Sequence, residues 1–374
     1  MIAVLHAYSR RNAGDGLLVD LTLERLERAG IGRDKCELFA LDASSFTEIP
    51  TVHQVGVPGR RPTGGMLLSA GQLMMAAMSA GSNGHLALGR LTKSVHGAAA
   101  VVAVGGGYLR TGDIISSLGT LLNHVPQLLA ASSANVPSFY MPQSIGPLPG
   151  PVGWLVRRLL RGIDRVNVRD DTSYREMRPL MDVHRYPDLA LMHLAERLDE
   201  TVVQGASSGG GVVLVGRELG TGATYPRLLM ALASRLAAVT WAVQAEGAGS
   251  KSDRIFYRKL GVSDSGELVD VLARDSPAAV VSVRLHGAIQ ALLSGIPAVH
   301  LSYQRKGWSA YADIGLEEFV HDANSFDPEA VVRQVETLGK NPEVLWDLVR
   351  KKRPELMEAS HQLTAELRQV LALR

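Results

Sequence analysis

Residues 278–301, AAVVSVRLHGAIQALLSGIPAVHL, place two short apolar runs on either side of a helical pattern. The runs at 278–283 and 298–301 predict buried strands, and residues 288–293 predict a helix between them. Two strands of one sheet that are joined through a helix run parallel. This stretch therefore predicts a βαβ unit, and with it the α/β class of fold.

The same alternation continues on both sides of this unit. Toward the C-terminal half it predicts strands at 212–215 and 239–243 and helices at 225–238 and 267–273. In the first half it predicts strands at 2–7, 99–104, 137–141, 165–168 and 185–191, and helices at 16–29, 114–131 and 152–161. A helical tail begins at Pro328, and its last helix is predicted near 359–373.

The glycine- and serine-rich stretch QGASSGGG at 204–211 divides the two alternating regions and is typical of a flexible linker. A chain of 374 residues has length for about two domains. We predict an N-terminal Rossmann-like domain at 1–203, the linker at 204–211 and a C-terminal Rossmann-like domain at 212–340. The helices of 341–374 are expected to pack back on the first domain, and the two domains to face a cleft.

Composition excludes several functional classes. There are 39 Lys and Arg against 37 Asp and Glu, and 5% of residues are aromatic, which argues against a nucleic-acid partner. The single cysteine, Cys36, cannot form an internal disulfide, and neither zinc-ligand spacing nor a leader pattern is present. We therefore expect a cytoplasmic protein that uses no metal and no cofactor.

The basic amphipathic stretch 154–161, WLVRRLLR, leaves two interpretations open. A surface helix with one face in the core is the ordinary one, and the sequence favours it. Peripheral contact with the inner face of a membrane is the other, because basic amphipathic helices bind lipid surfaces.

Polar residues follow several predicted strands of the first half. Asn12 and Asp15 come after the first strand, where Asp15 could orient a hydroxyl or take its proton, although the spacing favours a helix cap. Gly105, Gly106 and Gly107 follow another strand and allow either close approach of a ligand or a tight turn.

Two further strand ends carry groups that can bind anions or hydroxyls. Gln143 could hydrogen-bond a sugar or a carboxylate, or could only pack in its loop. Arg169 could bind a carboxylate or phosphate through two hydrogen bonds, or could pair with a neighbouring acid. The helix after Arg169 is expected to be capped by Asp171 or Thr172.

The most informative constellation is SVRLHG at 282–287. A buried strand delivers Arg284 and His286 to the start of a helix, whose free amides attract anions. Lys306 follows the next strand, so that three cationic or protonatable groups are expected near one anion-sized spot. Here the functional interpretation is stronger than that of a solvated turn.

Taken in order, these motifs resemble those of the polysaccharide pyruvyl transferase family. The matching segments are NAGD at 12–15, GGGYL at 105–109, QSIGP at 143–147, VRDDTS at 168–173, DLA at 188–190, SVRLHGAIQALLSGIP at 282–297 and YQRK at 303–306. The segment at 282–297 is the most specific, and the matches extend over most of the chain.

The resemblance implies a fold similar to that of the B-type glycosyltransferases, with a cleft between two Rossmann-like domains. It implies phosphoenolpyruvate as the donor and a sugar of a cell-surface glycan, or of its lipid-linked precursor, as the acceptor. The product is a cyclic pyruvate ketal, and phosphate is released. The donor site is expected to use Arg169, Arg284, His286 and Lys306, with His286 and Asp15 as catalytic residues. Asn12, Gly105–Gly107 and Gln143 are expected to contact the acceptor or to line the cleft.

Two other functions stay open on the sequence alone. A glycosyltransferase that uses a nucleotide sugar would need the same two-domain architecture. A catalytically silent glycan-binding relative is the third interpretation, although the intact Arg284, His286 and Lys306 argue against it.

Overall fold

The computed structural model describes residues 1–56, 83–205, 210–220, 222–246 and 252–372. Residues 206–209 of the predicted linker lie outside these ranges. So does the methionine- and glycine-rich stretch 60–82, for which the sequence predicts a core helix and its connection. The chain divides into two units. Unit 1 comprises Met1–Arg10, Asp15–Leu189 and His361–Arg374, and unit 2 comprises Arg11–Gly14 and Ala190–Ser360.

Unit 1 is built on a parallel sheet whose described strands follow the order β3-β2-β1-β4-β5-β6-β7. The strands are β1 Ile2–Ala7, β2 Cys36–Ala40, β3 Val52–Gln54, β4 Ala100–Ala103, β5 Ser138–Gln143, β6 Arg165–Val168 and β7 His184–Arg185. Every residue of β1, β4 and β5 is buried, which is why these strands are mostly apolar and do not alternate between apolar and polar residues.

Helices follow most strands of unit 1, as parallel connections require. They are α1 Ala13–Arg28, α2 Asn83–His96, α3 Ile114–Asn123, α4 Val125–Ser133, α5 Gly150–Leu160 and α6 Asp171–Met177. The first turn of α1 includes residues 13 and 14, which group with unit 2.

Unit 2 holds a second parallel sheet, in the order β12-β11-β10-β8-β9. Its strands are β8 Val212–Val215, β9 Val239–Trp241, β10 Ala279–Ser282, β11 Ala298–Ser302 and β12 Val320–Asp322. Its helices are α7 Leu189–Glu196, α8 Leu198–Gly205, α9 Thr224–Ala233, α10 Asp253–Leu260, α11 Leu268–Asp275, α12 Leu285–Leu293, α13 Arg305–Asp313, α14 Pro328–Lys340 and α15 Glu343–Ala372. Two parallel α/β sheets confirm the predicted class of fold.

Two predicted elements of the first half are wrong in detail. The strand predicted at 185–191 ends at Arg185, because Pro187 has no amide to donate, and Leu189 begins a helix. A short apolar run does not by itself distinguish a strand from a buried helix. The helix predicted at 114–131 is two helices, and Pro126 lies in the first turn of the second, where its missing amide costs nothing.

Helix α6 is capped one residue earlier than predicted. The Asp170 side chain accepts a hydrogen bond from Ser173 N at 2.8 Å, so neither Asp171 nor Thr172 is the cap. The Ser173 hydroxyl then donates to Ile145 O at 3.0 Å, which ties the end of β6 to the loop after β5.

The grouping of residues differs from the predicted domain limits at two places. Residues 190–203 group with unit 2, and the predicted linker begins inside α8, which extends to Gly205. The last helix begins at Glu343, well before residue 359, and its residues from His361 onward group with unit 1. There, Arg25 Nη1 donates to the Thr364 hydroxyl at 3.1 Å.

Among the described residues, no helix is long and apolar enough to cross a membrane.

Candidate active site

The carboxyl edge of the unit 2 sheet has a topological switch between β8 and β10. These two strands are neighbours, while β9 continues the sheet on one side and β11 on the other. Ligands of open α/β sheets bind outside the carboxyl ends of the strands at such a point. Val215 pairs with Ser282, so that Arg217 and Arg284 each follow their strand by two residues, one on either side of the switch.

Arg284 is held by a buried carboxylate. Its Nε lies 2.8 and 3.0 Å from the two oxygens of Asp253, and Nη2 lies 2.5 Å from Oδ1. The Asp253 side chain is fully buried and also accepts from the backbone amides of Gln244 and Ala245, each at 3.0 Å. Burial raises the pKa of Asp253, and Arg284 and the two amides oppose that rise. Asp253 therefore fixes the orientation of the Arg284 guanidinium.

Arg217 is a second arginine at this edge, and our sequence reasoning did not select it. Its Nη1 donates to the Tyr303 hydroxyl at 2.6 Å, and its Nε is buried without a hydrogen-bond partner among the described residues. Burial lowers the pKa of Arg217, and the charge of Arg284 lowers it further. The signal for it was available, because GRE at 216–218 directly follows the predicted strand 212–215.

His286 lies in the first turn of α12, whose N-cap is Arg284. The Ser282 hydroxyl accepts from Arg284 N at 3.1 Å and donates to Arg284 O at 2.8 Å, which makes the turn between strand and helix rigid. Gly287 is needed for packing, since a β-carbon there would lie 2.7 Å from Ser282 Oγ. The end of β10 and the start of α12 together fix the backbone position of His286.

The segment Arg11–Gly14 packs against this turn within unit 2. Ala13 N donates to Gln244 O at 3.3 Å, and Asn12 forms an antiparallel bridge with Ala245. A β-carbon on Gly14 would lie 2.5 Å from Cβ of His286 and 2.8 Å from its Nδ1. Asn12, which the sequence assigned to the acceptor side, thus groups with the unit that carries His286.

Gln244 is another residue that the sequence did not single out. It is buried, and its side-chain amide has no hydrogen-bond partner among the described residues. A buried amide without partners is costly, so such a group is a candidate for ligand contact.

His300 and Lys306 complete this edge of the sheet. His300 lies on β11, and its Nδ1 is 2.8 Å from Ser282 O. Because a carbonyl oxygen only accepts hydrogen bonds, this contact places a ring proton on Nδ1. Burial lowers the pKa of His300 to about 4, and the charges of Lys306 and His286 act in the same direction. Lys306 lies in the first turn of α13 and is half-buried.

The low pKa of His300 predicts a pH-dependent stability. The unfolded chain takes up this proton near pH 6.5 and the folded chain only near 4, so the free energy of unfolding falls as the pH falls from 6.5 toward 4. As the pH falls from 7 to 5, this histidine should lower the free energy of unfolding by about 2 kcal/mol. Urea unfolding of the wild type and of His300→Asn at both pH values measures it. Equal losses in the two proteins would contradict the assignment.

In unit 1, Arg169 is almost completely buried and its charge is paired. Its Nη1 forms a short ion pair with the buried Asp188, and its Nε donates to Ser144 Oγ at 3.0 Å. A β-carbon on Gly107 would lie 3.6 Å from Nη2 of this arginine. The structure thus brings together Arg169 and the third glycine of the predicted group.

The other two glycines of that group have packing reasons. A β-carbon on Gly105 would lie 2.8 Å from Pro142 O, and one on Gly106 would lie 2.9 Å from the Tyr108 ring. Gln143, at the end of β5, is fully buried, and neither atom of its amide group has a hydrogen-bond partner among the described residues. Gln143 in unit 1 and Gln244 in unit 2 are therefore alike, since each is a buried side-chain amide that could contact a ligand.

A polar cluster at the end of β1 was also missed. His6 is buried with φ of 67°, a conformation rare for a residue with a side chain. Its Nε2 is 3.1 Å from Tyr140 OH and its Nδ1 is 3.3 Å from Nδ1 of His124. Burial, with a contribution from His124, lowers the pKa of His6 well below its usual value. This cluster lies beside the β1–β4 switch of unit 1, and nothing in the sequence pattern distinguishes it from core.

Asp15 lies in the first turn of α1 and is half-buried. The helix begins at Ala13, two residues before Asp15, so the interpretation of Asp15 as the N-cap is wrong. A carboxylate in the first turn still gains from the helix dipole.

A family model described as polysaccharide pyruvyl transferase matches residues 12–305. That range begins after β1 and includes every site residue predicted from the sequence except Lys306. No curated protein matches this chain.

Solved structures that are similar to this chain share its fold at low sequence identity. Sucrose-phosphate synthase from Thermosynechococcus elongatus has 13% identity and a TM-score of 0.55, covering 100% of this chain and 99% of the other. UDP-GlcNAc 2-epimerase from Methanocaldococcus jannaschii has 9% identity and a TM-score of 0.50, with 91% and 93% covered. UGT2 from Phytolacca americana, solved with UDP-2fluoro-glucose and pterostilbene, has 11% identity and a TM-score of 0.50, with 99% of each chain covered. The likeness confirms the B-type glycosyltransferase fold.

Proposed function

Because this chain belongs to the polysaccharide pyruvyl transferase family, we propose that it transfers pyruvate from phosphoenolpyruvate to a sugar of a cell-surface glycan or of its lipid-linked precursor. The product is a cyclic ketal across two hydroxyls of that sugar, and phosphate is the leaving group. The observation that supports this most is the pair Arg217 and Arg284 at the switch point of unit 2, with His286 in the first turn of the helix that Arg284 caps.

The donor is a small molecule with two anionic groups, so it needs cations that are already in place. Arg284 is oriented by Asp253, and Arg217 keeps a buried Nε without a protein partner among the described residues. Guanidinium groups bind phosphate and carboxylate through paired hydrogen bonds. We assign the phosphate to this pair, assisted by Lys306, and keep Arg169 as the candidate for the donor carboxylate.

The reaction balances without any further reagent. An acid gives a proton to the methylene carbon of phosphoenolpyruvate, which leaves C2 electrophilic. A sugar hydroxyl adds to C2 and loses its proton, and phosphate departs with the electrons of the C2–O bond. The second hydroxyl then attacks C2 and loses its proton, which closes the ketal ring.

Two groups are proposed to move these protons. His286 can serve as the acid because histidine side chains exchange protons near neutral pH, and it lies two residues after Arg284 in the first turn of α12. Asp15 is the proposed base for the acceptor hydroxyl. His300 is unsuited to give up a proton near neutral pH, since burial keeps its pKa at about 4.

The test is incubation of the full chain with phosphoenolpyruvate and a panel of sugars in heavy water. We expect phosphate release that depends on the sugar, and a product heavier than the sugar by pyruvate less one water. One deuterium should enter the ketal methyl group, because the acid protonates that carbon. Release of a nucleotide from a sugar nucleotide, with no phosphate from phosphoenolpyruvate, would overturn the proposal.

Asp15→Asn tests the acceptor-side base. Asparagine retains the size and hydrogen-bonding ability of aspartate but cannot take a proton, so turnover should fall by about 100-fold or more. The free energy of unfolding should change by less than about 1 kcal/mol, which is the scale of a first-turn charge on a helix. Phosphoenolpyruvate affinity, measured by calorimetry, should not change. Full turnover in this variant would exclude Asp15 as the base.

A further inference from the structure

The three most exposed large apolar side chains of the described chain lie on two helices of unit 1. Ile114 is 80% exposed and Ile115 69%, both at the start of α3, and Trp154 is 61% exposed on α5. Scattered single apolar residues on a surface are ordinary, but a cluster of this kind marks an interaction site.

The two helices that carry these side chains are neighbours in unit 1. Helix α3 packs against α5, and the segment before α3 contacts the start of α5. The Thr111 hydroxyl donates to Pro149 O at 2.9 Å, and a β-carbon on Gly153 would also lie 2.9 Å from that hydroxyl oxygen. Thr111 is three residues before Ile114, and Gly153 adjoins Trp154. We call the surface formed by Ile114, Ile115 and Trp154 the Ile–Trp patch.

Helix α5 shows why the patch faces outward. Val156 and Leu160 are buried in the unit 1 core, whereas Trp154 and Arg158 are exposed on the other side of the helix. The core side of the helix is therefore already packed, and Trp154 lies on the side that faces away from that core.

The two sequence segments that carry the patch have one predominant charge. Residues 110–115 and 150–161 contain four arginines (Arg110, Arg157, Arg158 and Arg161) and one acid, Asp113. Arg157 donates to Leu148 O, and Asp113 caps α3 by accepting from Ser116 N at 2.8 Å. Arg110, Arg158 and Arg161 are exposed. An apolar patch bordered by exposed arginines is complementary to an anionic lipid surface.

We propose that the Ile–Trp patch docks unit 1 on the surface of an anionic bilayer. The two isoleucines enter the acyl boundary, the tryptophan lies at the level of the headgroups, and the arginines contact lipid phosphates. Binding of this kind is peripheral and reversible, and it weakens as salt screens the arginines. It requires nothing of the pyruvyl-transfer reaction, so either proposal can fail without the other.

Co-sedimentation with vesicles tests the proposal. The full chain should bind vesicles that contain phosphatidylglycerol at least tenfold more tightly than vesicles of phosphatidylcholine alone, and less tightly in high salt. The variants Ile114→Ser/Ile115→Ser and Trp154→Ser should each bind anionic vesicles at least tenfold more weakly. Arg158→Glu should lose affinity for anionic vesicles only.

The matched control is Val269→Ser, which removes an apolar side chain that is 52% exposed in unit 2. It should bind vesicles like the wild type, and thermal unfolding should show all variants folded. No binding by the wild type, or equal binding by the patch variants, would overturn the proposal. So would a dimer seen by light scattering that Trp154→Ser dissolves, because that result assigns the patch to a second copy of the chain.

Discussion

His286→Gln is expected to lower phosphate release from phosphoenolpyruvate by about 100- to 10,000-fold, the range that a positioned acid contributes to a reaction. Glutamine has a similar length and still donates a hydrogen bond, so anion binding should be kept better than proton transfer. His286 lies in the first turn of α12, directly after Arg284 and Leu285. The measurement is sugar-dependent phosphate release at saturating phosphoenolpyruvate.

A change at an exposed histidine supplies the control. His361→Gln on α15 should turn over like the wild type, because it lies far along the chain in unit 1. A His286→Gln rate within threefold of the wild type would remove His286 from the proton transfer.

Gly14→Ala is expected to reduce turnover at least tenfold, by acting on His286 and not on the substrate. The added methyl group would lie 2.5 Å from Cβ of His286 and 2.7 Å from its Cγ, closer than non-bonded carbons approach. Rotation of the His286 side chain leaves its Cβ in place, so the start of α12 and the segment Arg11–Gly14 must move apart. Such a movement changes the position or the packing of the proposed acid, and small misplacements of a catalytic group are costly.

The control for this change is Gly119→Ala on α3, where an added β-carbon meets nothing within 4 Å. That variant should retain activity, and its free energy of unfolding should rise by roughly 0.5–1 kcal/mol, because alanine is a better helix former than glycine. The double variant Gly14→Ala/His286→Gln gives the sharper test. If Gly14 acts through His286, the second change should cost little beyond the first. If the losses of turnover in the two single variants were fully additive in the double variant, Gly14 would not act through His286.

The fold could be predicted from the sequence because hydrophobic period is a local property. The run at 278–301 has the strand, helix and strand of one parallel unit within 24 residues, and its repetition specifies two sheets. The same reasoning put Arg284, His286 and Lys306 at neighbouring strand ends, since parallel strands align their carboxyl ends at one edge.

Partners far apart in the sequence could not be predicted in this way. Asp253 holds Arg284 from 31 residues away, Asp188 pairs with Arg169, and Gly14 contacts His286 across more than 270 residues. Burial, which raises or lowers each pKa, is likewise a property of the packed sheet. The sequence thus determined which charged groups reach the strand ends, and only the tertiary structure decided which are held by a buried partner, because pairing depends on distances that local patterns do not encode.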